Sequence, residues 1–253
     1  SGEMDNGFTA SVHYEIDGGA LDDHSITIGL GDAGSINFAG KGGSSALSAI
    51  DDVTPNAYEE SWDIITGAST EIINGVSGAN MFKYTSPSVG GATFAMAYLN
   101  ASDAVTDVSY VDWSIVVSPE MVEGLTVGYA TGDSEEVTGT QIDESTMYLK
   151  YVYGPVTFGY QNSDYDHPTL ASDKEMTSIG VSYAVSDDIS VAWNQSSLES
   201  GSTTDKDQES SGLSASYTMG SMSFSGAMNS VDNVGFADTE DSEGYEFTLA
   251  FAF

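Results

Sequence analysis

In the stretch Tyr245-Glu246-Phe247-Thr248-Leu249-Ala250-Phe251, a large apolar side chain stands at every second position. Successive residues of a β-strand point to opposite faces, so such a strand has one greasy face and one wet face. The same alternation recurs toward the N-terminus. In Phe8-Thr9-Ala10-Ser11-Val12-His13-Tyr14-Glu15-Ile16 the even positions are apolar and the odd ones small, polar or charged. Leu125 to Tyr129, Val156 to Gln161 and Ile189 to Asn194 repeat it.

The composition of the two faces narrows the fold. A soluble sandwich also alternates, but its outward face usually carries many Lys and Glu. Here the polar face is mostly Ser, Thr, Gly, Asn and Gln, which suits a wall lining water inside a closed sheet. Tyr, Trp and Phe end the apolar face and suit the two membrane–water interfaces.

Short and long links alternate between these strands. The short ones are Asp5-Asn6-Gly7, Gly31 to Gly34, Pro87 to Gly91, Ser118 to Gly124, Gly154-Pro155, Ser186 to Asp188 and Gly220-Ser221. The longer, acidic ones are 17–23, 41–80, 101–107, 132–143, 163–174, 198–209 and 232–243. Short turns on one rim and long loops on the other are expected of an outer-membrane barrel. About fourteen full strands plus the stub Ser1–Met4 can be counted. Single-chain bacterial barrels have an even strand number. The expected fold is therefore all-β, a closed antiparallel transmembrane β-barrel of sixteen strands, lacking here its first strand and part of its second.

Charge excludes one class of partner. Five Lys, no Arg and 39 Asp plus Glu among 253 residues give a formal charge of −34. Nucleic acid is thereby ruled out, since binding a phosphate backbone needs Lys and Arg to displace counterions. The 40% of hydrophobic and 11% of aromatic residues argue against disorder. Without cysteine there are neither disulfides nor thiolate metal sites. No apolar run approaches the ~20 residues of a transmembrane helix. A mean hydropathy of −0.14 still suits a barrel whose strands face lipid with half their residues.

Three segments resemble the sixteen-stranded general diffusion porins of Gram-negative bacteria, the alphaproteobacterial type above all. Ser1-Gly2-Glu3-Met4-Asp5-Asn6-Gly7-Phe8 is similar to the family's second strand and first periplasmic turn. Residues 42–80 follow the strand Ser35–Lys41, where the family places a long third loop folded into the lumen as a constriction. Tyr245 to Phe253 resembles the aromatic C-terminal strand read by the outer-membrane insertion machinery. The resemblance implies a homotrimer set in outer-membrane lipid and lipopolysaccharide, passing small hydrophilic solutes and ions by diffusion, with no covalent chemistry. It also implies a wall of Arg facing acidic loop residues. This chain has no Arg, so Lys41, Lys83 and Lys150, on lumen-facing positions, are the wall cations that remain.

The loop 42–80 is the main functional candidate, because loops this long are usually functional or disordered. Its carboxylates Asp51, Asp52, Glu59, Glu60, Asp63 and Glu71 are the expected lining of the constriction. Tyr58, Trp62, Ile64, Ile65, Ile72 and Ile73 are there to pack against the wall. Rings of carboxylates select cations, so a cation-selective pore is expected. The acidic links 103–107, 133–136, 164–173 and 232–243 offer oxygen ligands for Ca²⁺. None has the spacing of an EF-hand, and a solvated acidic rim is the plainer reading. No other cofactor is expected.

Other motifs dissolve on inspection. Gly29-Leu30-Gly31-Asp32-Ala33-Gly34 matches a dinucleotide fingerprint, but the strand-like Ser35 to Phe38 follows where a helix is required. It reads as a hairpin turn. His13, His24 and His167 have no metal spacing, and no catalytic triad or carboxylate pair stands out. Two alternatives differ from a general pore. A substrate-selective nutrient porin would carry an aromatic slide, with Tyr110, Tyr148 and Trp62 as candidates. A soluble, acidic, Ca²⁺-binding β-sandwich adhesin would lack the ordered alternation of links.

Overall fold

The computed structural model describes the chain except positions 18, 71, 74, 76, 79, 101–108, 136–140 and 253. It is an all-β protein. In chain order the strands are β1 Gly2–Glu3, β2 Thr9–Asp17, β3 Ala20–Gly29, β4 Ser35–Lys41, β5 Gly43–Ser44, β6 Ser77–Gly78, β7 Met81–Thr85, β8 Ala92–Leu99 and β9 Tyr110–Val117. They continue as β10 Leu125–Glu135, β11 Gln141–Tyr153, β12 Val156–Asp166, β13 Lys174–Ser186, β14 Ile189–Ser200, β15 Gln208–Met219, β16 Met222–Asp232 and β17 Ser242–Phe251.

Fifteen of these form one sheet in sequence order, with β1 and β17 as its end strands; β5 and β6 pair separately inside the long loop. The fourteen full strands and the stub match the count read from the sequence. A sandwich needs two sheets packed face to face. Among the described residues the only second sheet is the four-residue pair β5–β6, so the adhesin alternative has no framework.

Of the dinucleotide-like glycines, Gly29 ends β3, Gly31 opens a single 3₁₀ turn, Gly31–Ala33, and Gly34 precedes β4. One expected link is corrected. Residues 17–23 are not a long loop: β2 and β3 stay paired through Asp17↔Ala20 and Ile16↔Leu21, with a bulge between Tyr14 and Ile16. Gly19, at φ 85°, supplies the backbone conformation that closes so tight a hairpin.

The contacts divide the chain into two compact units. The first comprises Ser1–Asp51, Ile73–Val122 and Val127–Thr146; the second comprises Asp52–Ile72, Glu123–Thr126 and Met147–Phe253. Both have the inverted polarity that alternation implies. Val12, Tyr14, Ile26 and Phe82 are exposed in the first, as are Trp193, Leu213, Phe224 and Phe247 in the second. Buried positions of the second include Gln161, Ser178, Asn194, Ser196, Ser210 and Asn229. Water would penalise so much contiguous apolar surface, whereas lipid solvates it. Aromatic neighbours reinforce this face, with Trp113 and Tyr129 rings 5.5 Å apart and Phe224 stacked on Phe247 at 6.1 Å.

Candidate functional site

The long loop leaves β4 and returns at β7, and β5–β6 clip its base together. In the first unit its root is held by two wall charges. Asp112, on the polar face of β9 and 1% exposed, accepts the backbone N–H of Ala46 at 3.1 Å and of Leu47 at 2.7 Å. It also accepts from Ala97 at 3.2 Å. Lys83 on β7 donates through Nζ to the carbonyls of Ser44 and Ser45 at 3.2 and 3.0 Å. Leu47, with no exposed surface, is locked beneath.

In the second unit the limb 52–72 lies on the polar face of β12 to β17. Gln161 Oε1 accepts the N–H of Val53 at 3.0 Å, and Ser214 Oγ accepts that of Ala57 at 3.1 Å. Asn229 Nδ2 donates to the Glu60 carbonyl at 2.8 Å. Gln208 Nε2 donates to that of Ala68 at 2.7 Å. Ser61 and Ser210 share a hydrogen bond at 2.8 Å, and Thr70 and Ser196 one at 3.1 Å. The Tyr58 hydroxyl donates to Glu246. Ile65 and Ala68 pack with Val231, while Trp62 and Val234 cover that small core. Here the polar atoms of the loop meet partners of matching kind, as a segment buried against a wall requires.

The predicted carboxylates separate by environment. Asp51 lies half-buried in the first unit. Asp52, Glu59, Glu60 and Asp63 gather in the second, and Glu71 lies outside the described residues. Ligand oxygens of Glu59, Glu60 and Asp63 fall within 4.8 Å of one another, the one such group among the described residues. The acidic links 164–173 and 232–243 bring no comparable trio together; 103–107 and part of 133–136 lie outside the described residues. Crowding has a protonic cost. Desolvation, then the hydrogen bond and charge of Asp63 and the charge of Asp52, push the Glu60 carboxyl up to about 9. Asp52 and Glu59 also shift upward, desolvation leading in each case.

A hollow of about 350 Å³ is lined by two of these acids, Asp52 and Glu60, with Asn56 from the loop and by Lys150, Thr157 and Ser182 from the wall. The three predicted wall lysines therefore occupy different settings. Lys41, at the end of β4, is ion-paired with Asp22 at 3.0 Å, both side chains about half exposed. Lys83 is taken up by loop carbonyls. Lys150 is exposed, faces the hollow and forms no ion pair among the described residues. The aromatic slide finds no support: Tyr110 and Tyr148 are 2% and 7% exposed, and Trp62 is committed to the small core the loop shares with Val231 of β16.

Sequence reasoning missed the wall side of this site. Asp112, Gln161, Ser196, Ser210 and Asn229 were legible only as polar-face residues. The available signal was weak: a carboxylate in mid-strand at Asp112, flanked by Val111 and Trp113, has no reason to be there unless something arrives to use it.

A family model described as Gram-negative porin matches residues 1–202. Among solved structures, an anion-selective porin from Comamonas acidovorans is 14% identical with a TM-score of 0.70, the match covering 100% of this chain and 87% of that one. A porin refined at 1.8 Å resolution is 13% identical, TM-score 0.69, covering 100% and 89%. A doubly substituted variant of the Rh. blastica porin is 15% identical, TM-score 0.62, covering 100% and 87%. No curated protein sequence matches the chain. At these identities the structural likeness carries the fold alone, an antiparallel β-barrel, while the family model reaches most of the sequence. The chain belongs to the Gram-negative porin family, and its place is the outer membrane.

Proposed function

We propose that this porin forms a water-filled, cation-selective pore for passive diffusion of small hydrophilic solutes, constricted by the loop 42–80 folded into its lumen. One observation carries the reading. The loop limb gathers Asp52, Glu59, Glu60 and Asp63, of which Glu60 keeps its proton at neutral pH, and the wall lining the hollow offers Lys150 as its one charge among the described residues. Cations are drawn to such a lining and anions repelled, because both act within a low-dielectric wall that screens poorly. Asp51 and Glu71, on the same loop, belong to the proposed lining by position. The pore assembles as a homotrimer within outer-membrane lipid and lipopolysaccharide, and no residue set calls for covalent chemistry.

Anion selectivity is a property of the Comamonas protein and does not pass to this chain at 14% identity. Reversal potentials of single channels in a KCl gradient test the proposal. Cation preference is expected, and conductance should appear in steps of three. Preference for chloride would overturn it.

A further inference from the structure

Four glycines, interleaved with two asparagines, share one transverse rung of the wall. The register runs Gly159↔Gly180 between β12 and β13, Gly180↔Asn194 between β13 and β14, and Asn194↔Gly212 between β14 and β15. It continues Gly212↔Asn229 and Asn229↔Gly244 to β16 and β17. The rung thus crosses six strands and contains only Gly and Asn, all on the polar face.

Glycine inside a strand weakens it, through lost entropy and lack of packing, and so marks a bulge or a close approach. None of these four has a positive φ, and none sits at a shift in the register of these strand pairs. Backbone conformation therefore does not explain them. What lies against them does. A Cβ on Gly180 would stand 2.7 Å from the carbonyl oxygen of Pro55, and one on Gly212 would stand 2.8 Å from Cα of Ser61. One on Gly159 would overlap the Pro55 ring, and one on Gly244 would meet Ile64 Cγ2 at 2.8 Å and Ile65 Cδ1 at 2.9 Å. All these lie inside the ~3.5–4.0 Å of an ordinary carbon contact.

The neighbouring rung supplies the adhesion. Gln161, Ser178, Ser196 and Ser210 lie in register two residues along the same strands. They hydrogen-bond Val53, Thr54, Thr70 and Ser61. The loop thus rests on the glycine rung and is fastened along one edge of it and, on the rung itself, by Asn229.

We propose that Gly159, Gly180, Gly212 and Gly244 are the size-determining positions of the pore. By omitting a side chain, they let the loop lie flat on the wall and leave the largest opening beside it. The inference rests on the reading that the loop constricts the lumen. A Cβ at any of these four positions lifts the loop, with its carboxylates, away from the wall and into the solute path. Position decides how much. Gly180 and Gly212 oppose backbone atoms, which cannot rotate aside, whereas Gly244 opposes the ends of isoleucine side chains, which can.

The experiment compares single-channel conductance and the size limit for neutral sugars in correctly folded channels, judged by heat-modifiable mobility. Gly180→Ala and Gly212→Ala should lower both, Gly244→Ala less. Gly226→Ala, on the apolar face where the atoms nearest the new Cβ belong to the Phe247 ring and the Glu246 carbonyl, should leave them unchanged. Gly159→Ala should lower them, and adding Pro55→Ala should restore them, since the obstructing atoms belong to that ring. Unaltered conductance in both Gly180→Ala and Gly212→Ala, or an increase, overturns the inference. If one of the two fails to fold, the other and the Gly159/Pro55 pair carry the comparison. A disulfide between Ser61→Cys and Ser210→Cys in the otherwise cysteine-free protein reports whether the loop sits on the wall. If that bond forms while the glycine variants conduct normally, only this inference fails. If it does not form, the constriction reading fails with it.

Discussion

The carboxylate of Asp112 reaches from β9 to the loop root and takes the backbone N–H of Leu47 at 2.7 Å. Its other oxygen takes Ala46 at 3.1 Å and Ala97 at 3.2 Å. Lys83, on the same register row through Ala97, holds the two preceding carbonyls, of Ser44 and Ser45. Two charged side chains of opposite sign thus grip four consecutive loop residues by their backbone, independent of the loop's own side chains.

Removing that acceptor has a clear expected result. In Asp112→Ala three buried N–H groups lose their partner, and each unpaired donor costs about 1–3 kcal/mol. The temperature at which the folded band is lost on a gel should fall, and open-channel current noise should rise as the root loosens. Asp112→Asn keeps one carbonyl oxygen and should fall between. A folded form of Asp112→Ala as heat-resistant as the wild type would show that the root is held by other contacts.

Lys83 and Lys150 should answer mutation in opposite ways. Lys150 faces the hollow with no ion pair among the described residues, so Lys150→Met should shift the KCl reversal potential further toward cations with little effect on heat resistance. Lys83 spends its charge on loop carbonyls, so Lys83→Met should lower heat resistance first. Equal shifts of reversal potential in both variants would mean that the two lysines play one role.

The strands and the limits of the loop were legible because they depend on local pattern. Period-2 alternation marked β17 and β14, and the end of Ser35–Lys41 marked where the loop begins. The link 17–23 was misjudged because acidic residues at Asp22 and Asp23 look like loop, yet paired backbone tolerates them where their side chains reach water. The seat of the loop was hidden for another reason. Val53 meets Gln161 across 108 positions and Glu60 meets Asn229 across 169, and no local rule links such distant residues. The small residues of the polar face looked like a surface for water. In the second unit they are also a bed for the loop, and glycine at 159, 180, 212 and 244 was the trace of it in the sequence.

Acidity provides the last test, and its sign can be worked out from Glu60. Its carboxyl is pushed from the ordinary 4.5 up to about 9 by desolvation and by Asp63 and Asp52. A group whose acidity is weakened in the docked state stabilises that state fully below the ordinary value, and the benefit is lost as pH rises through the shifted one. At neutral pH Glu60 therefore holds its proton and contributes no charge to the lining. Raising the pH from 7 to 10 should add that charge, increase cation preference and loosen the limb, making residues 52–72 more sensitive to protease. Asp52 and Glu59 are shifted in the same direction, desolvation leading in each. Glu60→Gln should match the wild-type reversal potential at pH 7 and lack most of the rise by pH 10. A variant already depleted of cation preference at pH 7 would mean that Glu60 is ionised there, and that the crowding of these carboxylates does not govern the charge of the lining.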